Sequence, residues 1–135
     1  MEEELLHNVF PTLPVKNLSR SLDWYVKVLQ FEHLRTMPEH KEPIWSHLRW
    51  SDHAEILLVA QGAKEDFEDV DASDVDLTFY VEPGMLDKLA AHIKSCGESL
   101  ISGPQKRPWN ARELMIADPD GYRLTFSEVL KETAP

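Results

Sequence analysis

The chain has 135 residues and one cysteine, Cys96, which is room for a single domain with a two-layer core and excludes both an internal disulfide and a cysteine cage for zinc. Its 14 basic and 24 acidic side chains give a formal net charge of −10, a field that repels nucleic acid and anionic membranes and attracts cations. No apolar run approaches the ~20 residues needed to cross a bilayer, and MEEELLHNV is acidic where a secretory signal is basic, so a cytoplasmic location with neither nucleic acid nor membrane as partner is expected.

In chain order, the first strand is read at residues 7–15, from His7 to Val15, and a helix follows from Leu18 to Leu29 with Asn17 as its N-cap. Three strands come next, at Phe31 to Met37, Ile44 to Trp50 and Ala54 to Ala60, separated by PEHKEP and the short turn SDH. An acidic stretch, AKEDFEDVDASDVD, reads as a solvated connection; it lacks the Gly and Glu that an EF-hand loop needs at its sixth and twelfth positions. The order then repeats: a strand at Val75 to Val81, a helix at Met85 to Cys96 with Gly97 past its end, a short strand at Ser99 to Ser102, another at Arg112 to Ala117, the turn DPDG, and a last strand at Tyr122 to Glu128. Cys96 falls at the end of the second helix and is expected to pack into the core. The chain is thus α+β, a single domain of two βαβββ modules at about 7–60 and 75–128, joined by an acidic linker at about 61–74. A mixed sheet curved around a cavity, with the helices outside, is the expected architecture.

Side chains two apart share a face of a sheet. Leu13, Val15, Ile56, Leu58, Leu77, Phe79, Val81, Leu124 and Phe126 form an apolar set that should lie beneath the helices. The opposite face carries Phe10, Thr12, Glu55, Leu57, Val59, Asp76, Thr78, Tyr80, Arg123, Thr125 and Ser127. That mixed face suits a sheet curled around a ligand, or a plain wet surface. Four apolar or aromatic residues on it argue against the second.

LPVKNLSRSLDWYVKVLQF and GPQKRPWNARELMIADPDGYRLTFSE resemble the opening and closing signatures of the vicinal oxygen chelate superfamily, which includes glyoxalase I, extradiol dioxygenases and the bleomycin- and fosfomycin-resistance proteins. Gln30 and Asn110 stand where many members have glycine. Catalytic members hold one divalent metal through His and Glu on four cavity-facing strands, and the resemblance places those positions at Phe10, Leu57, Asp76 and Thr125. Only Asp76 is a metal ligand by type, so no metal or other cofactor is expected; a rearranged set of His47, Glu55 and Asp76 is an alternative. No phosphate-binding glycine loop, His-Cys nucleophile pair or GxSxG elbow occurs. Metal-free proton transfer by His47 or Asp76 stays open.

The departures match the resistance-type branch, metal-free homodimers that sequester a drug in clefts between subunits and so confer antibiotic resistance. The expectation is an aromatic or cationic small molecule bound by Phe10, Trp45, His47, Leu57, Asp76, Tyr80, Trp109 and Thr125. Trp50 is a further candidate wall, and Trp24 and Tyr25 are assigned to the core. A lyase or isomerase of the glyoxalase type is the alternative.

Overall fold

A computed structural model describes residues 9–51, 53–63 and 71–130. The first module contains β1 (Thr12–Val15), α1 (Leu18–Val28), β2 (Glu32–Met37), β3 (Trp45–Trp50) and β4 (Ala54–Ala60). After a short 3₁₀ turn at Ala72–Asp74 the second contains β5 (Asp76–Tyr80), α2 (Leu86–Ser95), β6 (Ser102–Arg107), β7 (Ala111–Ala117) and β8 (Arg123–Val129). Each module makes its own four-stranded sheet, ordered β1-β4-β3-β2 and β5-β8-β7-β6. The first pair in each is parallel and the others antiparallel. The expected α+β fold of two βαβββ modules is present, as two sheets.

Local chemistry explains the helix ends. Asn17 is extended, and its side-chain oxygen accepts the Arg20 amide at 3.0 Å, using a donor that the first turn leaves free. Leu18, Ser21, Tyr25 and Val28 then fall on one buried stripe. Past the end of α1, Gln30 adopts a left-handed φ of 62°, and the Phe31 amide bonds back to the Tyr25 carbonyl at 3.1 Å. Helix α2 ends with Gly97 at φ 81°, where the Gly97 and Glu98 amides return to the carbonyls of Lys94 and Ile93 at 3.0 and 3.4 Å. Glycine meets this requirement without a Cβ clash, and Gln30 meets it with one.

Three readings need correction. The strand expected at residues 7–15 is regular only over Thr12–Val15, with the Pro11 carbonyl still accepting the Leu57 amide at 3.0 Å; Val9 and Phe10 are not strand, and His7 and Asn8 lie outside the described residues. The short strand placed at Ser99 to Ser102 instead runs Ser102–Arg107. Gly103 and Pro104 are poor strand formers, but β6 is an edge strand with a register shift between Ser102 and Gln105, where a missing amide donor breaks no ladder. Cys96 is exposed: the chain turns at Gly97, and its thiol sits 3.6 Å from the Lys27 carbonyl, where the ends of α1 and α2 meet. The acidic linker lies outside the described residues over 64–70.

The apolar set read from alternation packs beneath both helices, joined by Tyr25, Leu48, Leu114, Ile116 and Tyr122. This core is shared by the modules. Phe31 contacts Phe79 (ring centroids 5.9 Å), and Trp50 contacts Phe79 and Phe126 (6.5 and 5.5 Å). The DPDG turn fastens them further. Asp118 accepts the amides of Asp120 and Tyr122, each at 2.9 Å, and the buried Tyr25 hydroxyl at 2.7 Å. Tyr122 donates to the Pro14 carbonyl at 2.6 Å, and Asp120 accepts the Lys16 amide at 2.7 Å.

Candidate functional site

With the helix-side faces of both sheets committed to one core, the other two faces point outward. On the first sheet, register aligns Arg35, His47, Leu57 and Thr12 in one row across four strands. Phe10 lies against His47 with ring centroids 5.0 Å apart, off the helices. His47 Nε2 is 2.9 Å from Glu55 Oε1, with the side chains 20% and 10% exposed. Nε2 is buried without a hydrogen bond, and the two groups form an ion pair only when the imidazole is protonated. Trp45 sits one pleat further along, opposite Val59, with the Arg35 guanidinium 5.3 Å from its ring centroid. Phe10, Trp45, His47 and Leu57 thus share one face.

On the second sheet, Asp76 pairs in register with Arg123, Thr78 with Thr125, and Tyr80 with Ser127. Asp76 therefore has a guanidinium as its cross-strand neighbour. Tyr80 is 74% exposed. Trp109 is set apart from these three, in the turn between β6 and β7 at 62% exposure. Its indole donates to Glu113 at 3.1 Å, with Arg107 5.7 Å from the ring centroid. The eight expected residues fall into one cluster on each sheet, plus Trp109.

A groove of about 880 Å³ runs along β5, which lies at the edge of its sheet, between that strand and the β3–β4 turn. Trp50, Phe79, Pro11 and Met85 give it apolar walls, and Glu55, Tyr80, Glu82 and His53 give it polar ones. Of the eight expected residues only Tyr80 lines it. The role of Trp50 as both core and groove wall depends on module packing, for which the sequence holds no local signal.

The four positions at which the resemblance puts metal ligands do not fit a metal. Phe10 and Leu57 have no donor atom, and Thr125 offers a hydroxyl, a poor donor for zinc, nickel or iron. Phe10 lies beside the first sheet, against His47, and Leu57 lies in it, whereas Asp76 and Thr125 belong to the second. The alternative set fares no better: among the described residues no three of His, Cys, Asp and Glu come together as a ligand group, so His47, Glu55 and Asp76 do not converge within the chain.

A search of curated proteins finds no match. Among solved structures, TioX from Micromonospora sp. ML1 superposes with a TM-score of 0.74 at 18% identity, over 92% of this chain and 99% of that one. TnmS3, an antibiotic binding protein from Streptomyces sp. CB03234, gives 0.73 at 20% identity, over 95% and 99%. A glyoxalase/bleomycin resistance protein/dioxygenase superfamily member from Sphaerobacter thermophilus DSM 20745 gives 0.74 at 18%, over 92% and 98%. At these identities the likeness shows a common fold. The superfamily's sequence profile matches residues 6–126, so the chain belongs to the glyoxalase/bleomycin resistance protein/dioxygenase superfamily.

Proposed function

We propose that the protein is a cytoplasmic, metal-free binding protein that sequesters a small aromatic molecule in clefts between two copies of the chain. The observation that carries this reading is the shared core: because the helix-side faces meet inside one chain, each outward face is a single wall. A second copy facing it would supply the other wall and cover β1 and β5, each of which lies at the edge of its sheet. Phe10, Trp45 and Leu57 on one wall and Tyr80 on the other give flat apolar surface for an aromatic ring. Membership of a superfamily that includes resistance proteins, and the likeness to an antibiotic binding protein, favour small-molecule capture. Among the described residues no helix is long and apolar enough to cross a membrane, and an exposed free thiol suits a reducing compartment.

Sedimentation at micromolar concentration tests the assembly and should give about twice 15.6 kDa. A thermal-shift screen of planar aromatic compounds tests the cleft, since a ligand at 100 times its dissociation constant adds about 2.7 kcal/mol. A monomer, or a stoichiometric metal after purification without added metal, would overturn the reading.

A further inference from the structure

The net charge of −10 is not carried by the outward faces. Among the described strand residues they hold Arg35, Arg49, Arg107 and Arg123 against Glu32, Glu55, Asp76 and Glu113, by strand register, and four against four leaves no net charge there. Arg49 pairs with Glu32 at 3.1 Å, and Arg107 lies 3.8 Å from Glu113. Arg35 differs from both: it is exposed, it makes no ion pair among the described residues, and its guanidinium lies over the Trp45 indole. On the same face Glu55 already has His47 beside it.

We propose that the Arg35–Trp45 stack is an anion subsite, and that the ligand is an aromatic acid bearing a carboxylate or phosphate. This deepens the cleft reading above and rests on it. A guanidinium held against an indole loses much of its freedom before a ligand arrives. Its outer N–H groups stay free in the ring plane to grip two oxygens of an acid. Arg35 and Leu57 are two strands apart in the same row, about 10 Å at the usual strand spacing. A ligand whose ring rests on Phe10 and Leu57 can meet the long Arg35 side chain if its acid group projects along the row, past His47 and toward β2. The neutral faces let this happen in a chain whose overall field would repel an anion.

The test uses four probes with one aromatic core: 2-naphthoate, 2-naphthyl phosphate, the neutral 2-naphthamide and cationic 2-naphthylmethylamine. Each is titrated by calorimetry into the wild type, Arg35→Gln, Arg35→Lys and Lys94→Gln, the last removing a positive charge from the exposed side of α2. At least one acid should bind about ten-fold tighter than the amide, the usual worth of a charged hydrogen bond. The stronger of the two identifies the acid class. Arg35→Gln should bring that acid and the amide within about two-fold, Arg35→Lys should keep part of the difference, and Lys94→Gln all of it. If the amine binds tightest, or Arg35→Gln leaves the acid-to-amide ratio unchanged, the anion subsite is refuted while the aromatic cleft stands. If no probe binds at any charge, the cleft reading falls and the subsite with it.

Discussion

Replacing Tyr25 with phenylalanine should destabilise the protein in a pH-dependent way. The Tyr25 hydroxyl donates at 2.7 Å to the buried carboxylate of Asp118, while its ring packs against Trp24 and Phe31 at 5.0 and 5.5 Å. Phenylalanine keeps the ring and deletes only the donor. Burial pushes the Asp118 carboxyl above its ordinary range, opposed by the bonds from Tyr25 and from the amides of Tyr122 and Asp120. Losing one bond raises it further. A carboxyl whose folded value lies above its unfolded one adds stability that is complete below the unfolded value and lost as pH rises through the folded one. The variant should therefore lose more between pH 4 and pH 7 than the wild type does. At pH 7 the expected cost is about 1.5–3 kcal/mol, that of a charged hydrogen bond, and it should fall toward about 0.5–1.5 kcal/mol, that of a neutral one, as the pH is lowered to 4 and the raised carboxyl takes up its proton. For a domain of this length the neutral-pH figure corresponds to a drop of roughly 5–10 °C in Tm. Circular-dichroism melts at both pH values and one protein concentration read this directly. Tyr122→Phe is the control, because Tyr122 donates to the uncharged Pro14 carbonyl and its loss should cost about the same at both. A Tyr25→Phe cost independent of pH, or below about 0.5 kcal/mol, would refute the idea that a charged Asp118 is held by this donor.

Other substitutions follow from the backbone and the core. Gly103→Ala should cost roughly 2–4 kcal/mol in urea unfolding, because a Cβ there would lie 2.1 Å from the Glu113 carbonyl oxygen at φ +83°; a near-neutral result would mean β6 and β7 are spaced differently. Gln30→Gly should stabilise by about 0.5–1 kcal/mol by relieving a left-handed side-chain residue at φ 62°. Asn110→Gly should gain less, since Asn110 at φ 61° also donates its amide to the Leu130 carbonyl; a larger gain than for Gln30→Gly would count against that bond. Ser21→Ala should leave stability unchanged or raise it by up to about 1 kcal/mol, because the Ser21 hydroxyl is fully buried without a hydrogen-bond partner. A clear loss would mean the hydroxyl has a partner after all.

Alternation and helical spacing are local properties, and what depends on them was legible in the chain. Leu13 and Val15, Ile56 and Leu58, and Leu124 and Phe126 had to share a side of their strands whatever the tertiary arrangement, and they do lie under the helices. Asn17 as a cap and Gly97 as a stop follow from backbone donors and φ, again within a few residues. The same parity places Phe10, His47 and Leu57 on one side, where they lie. Strand β6 escaped because a Gly-Pro step is evidence against a strand until it is known to lie at an edge, and being at an edge is a property of the whole sheet. Cys96 escaped because a helical stripe says which way a residue points, not whether a neighbour is there to cover it. Two further facts belonged to the tertiary structure alone. The modules meet through Trp50, Phe79 and Phe126, side chains far apart in sequence, so no local pattern could show whether the ligand-type faces turn toward each other or away. The charge that a ligand meets depends on which few side chains surround it, since screening confines each charge to roughly 10 Å; a count over 135 residues gives −10, while the described strand residues of the two outward faces carry four positive and four negative side chains.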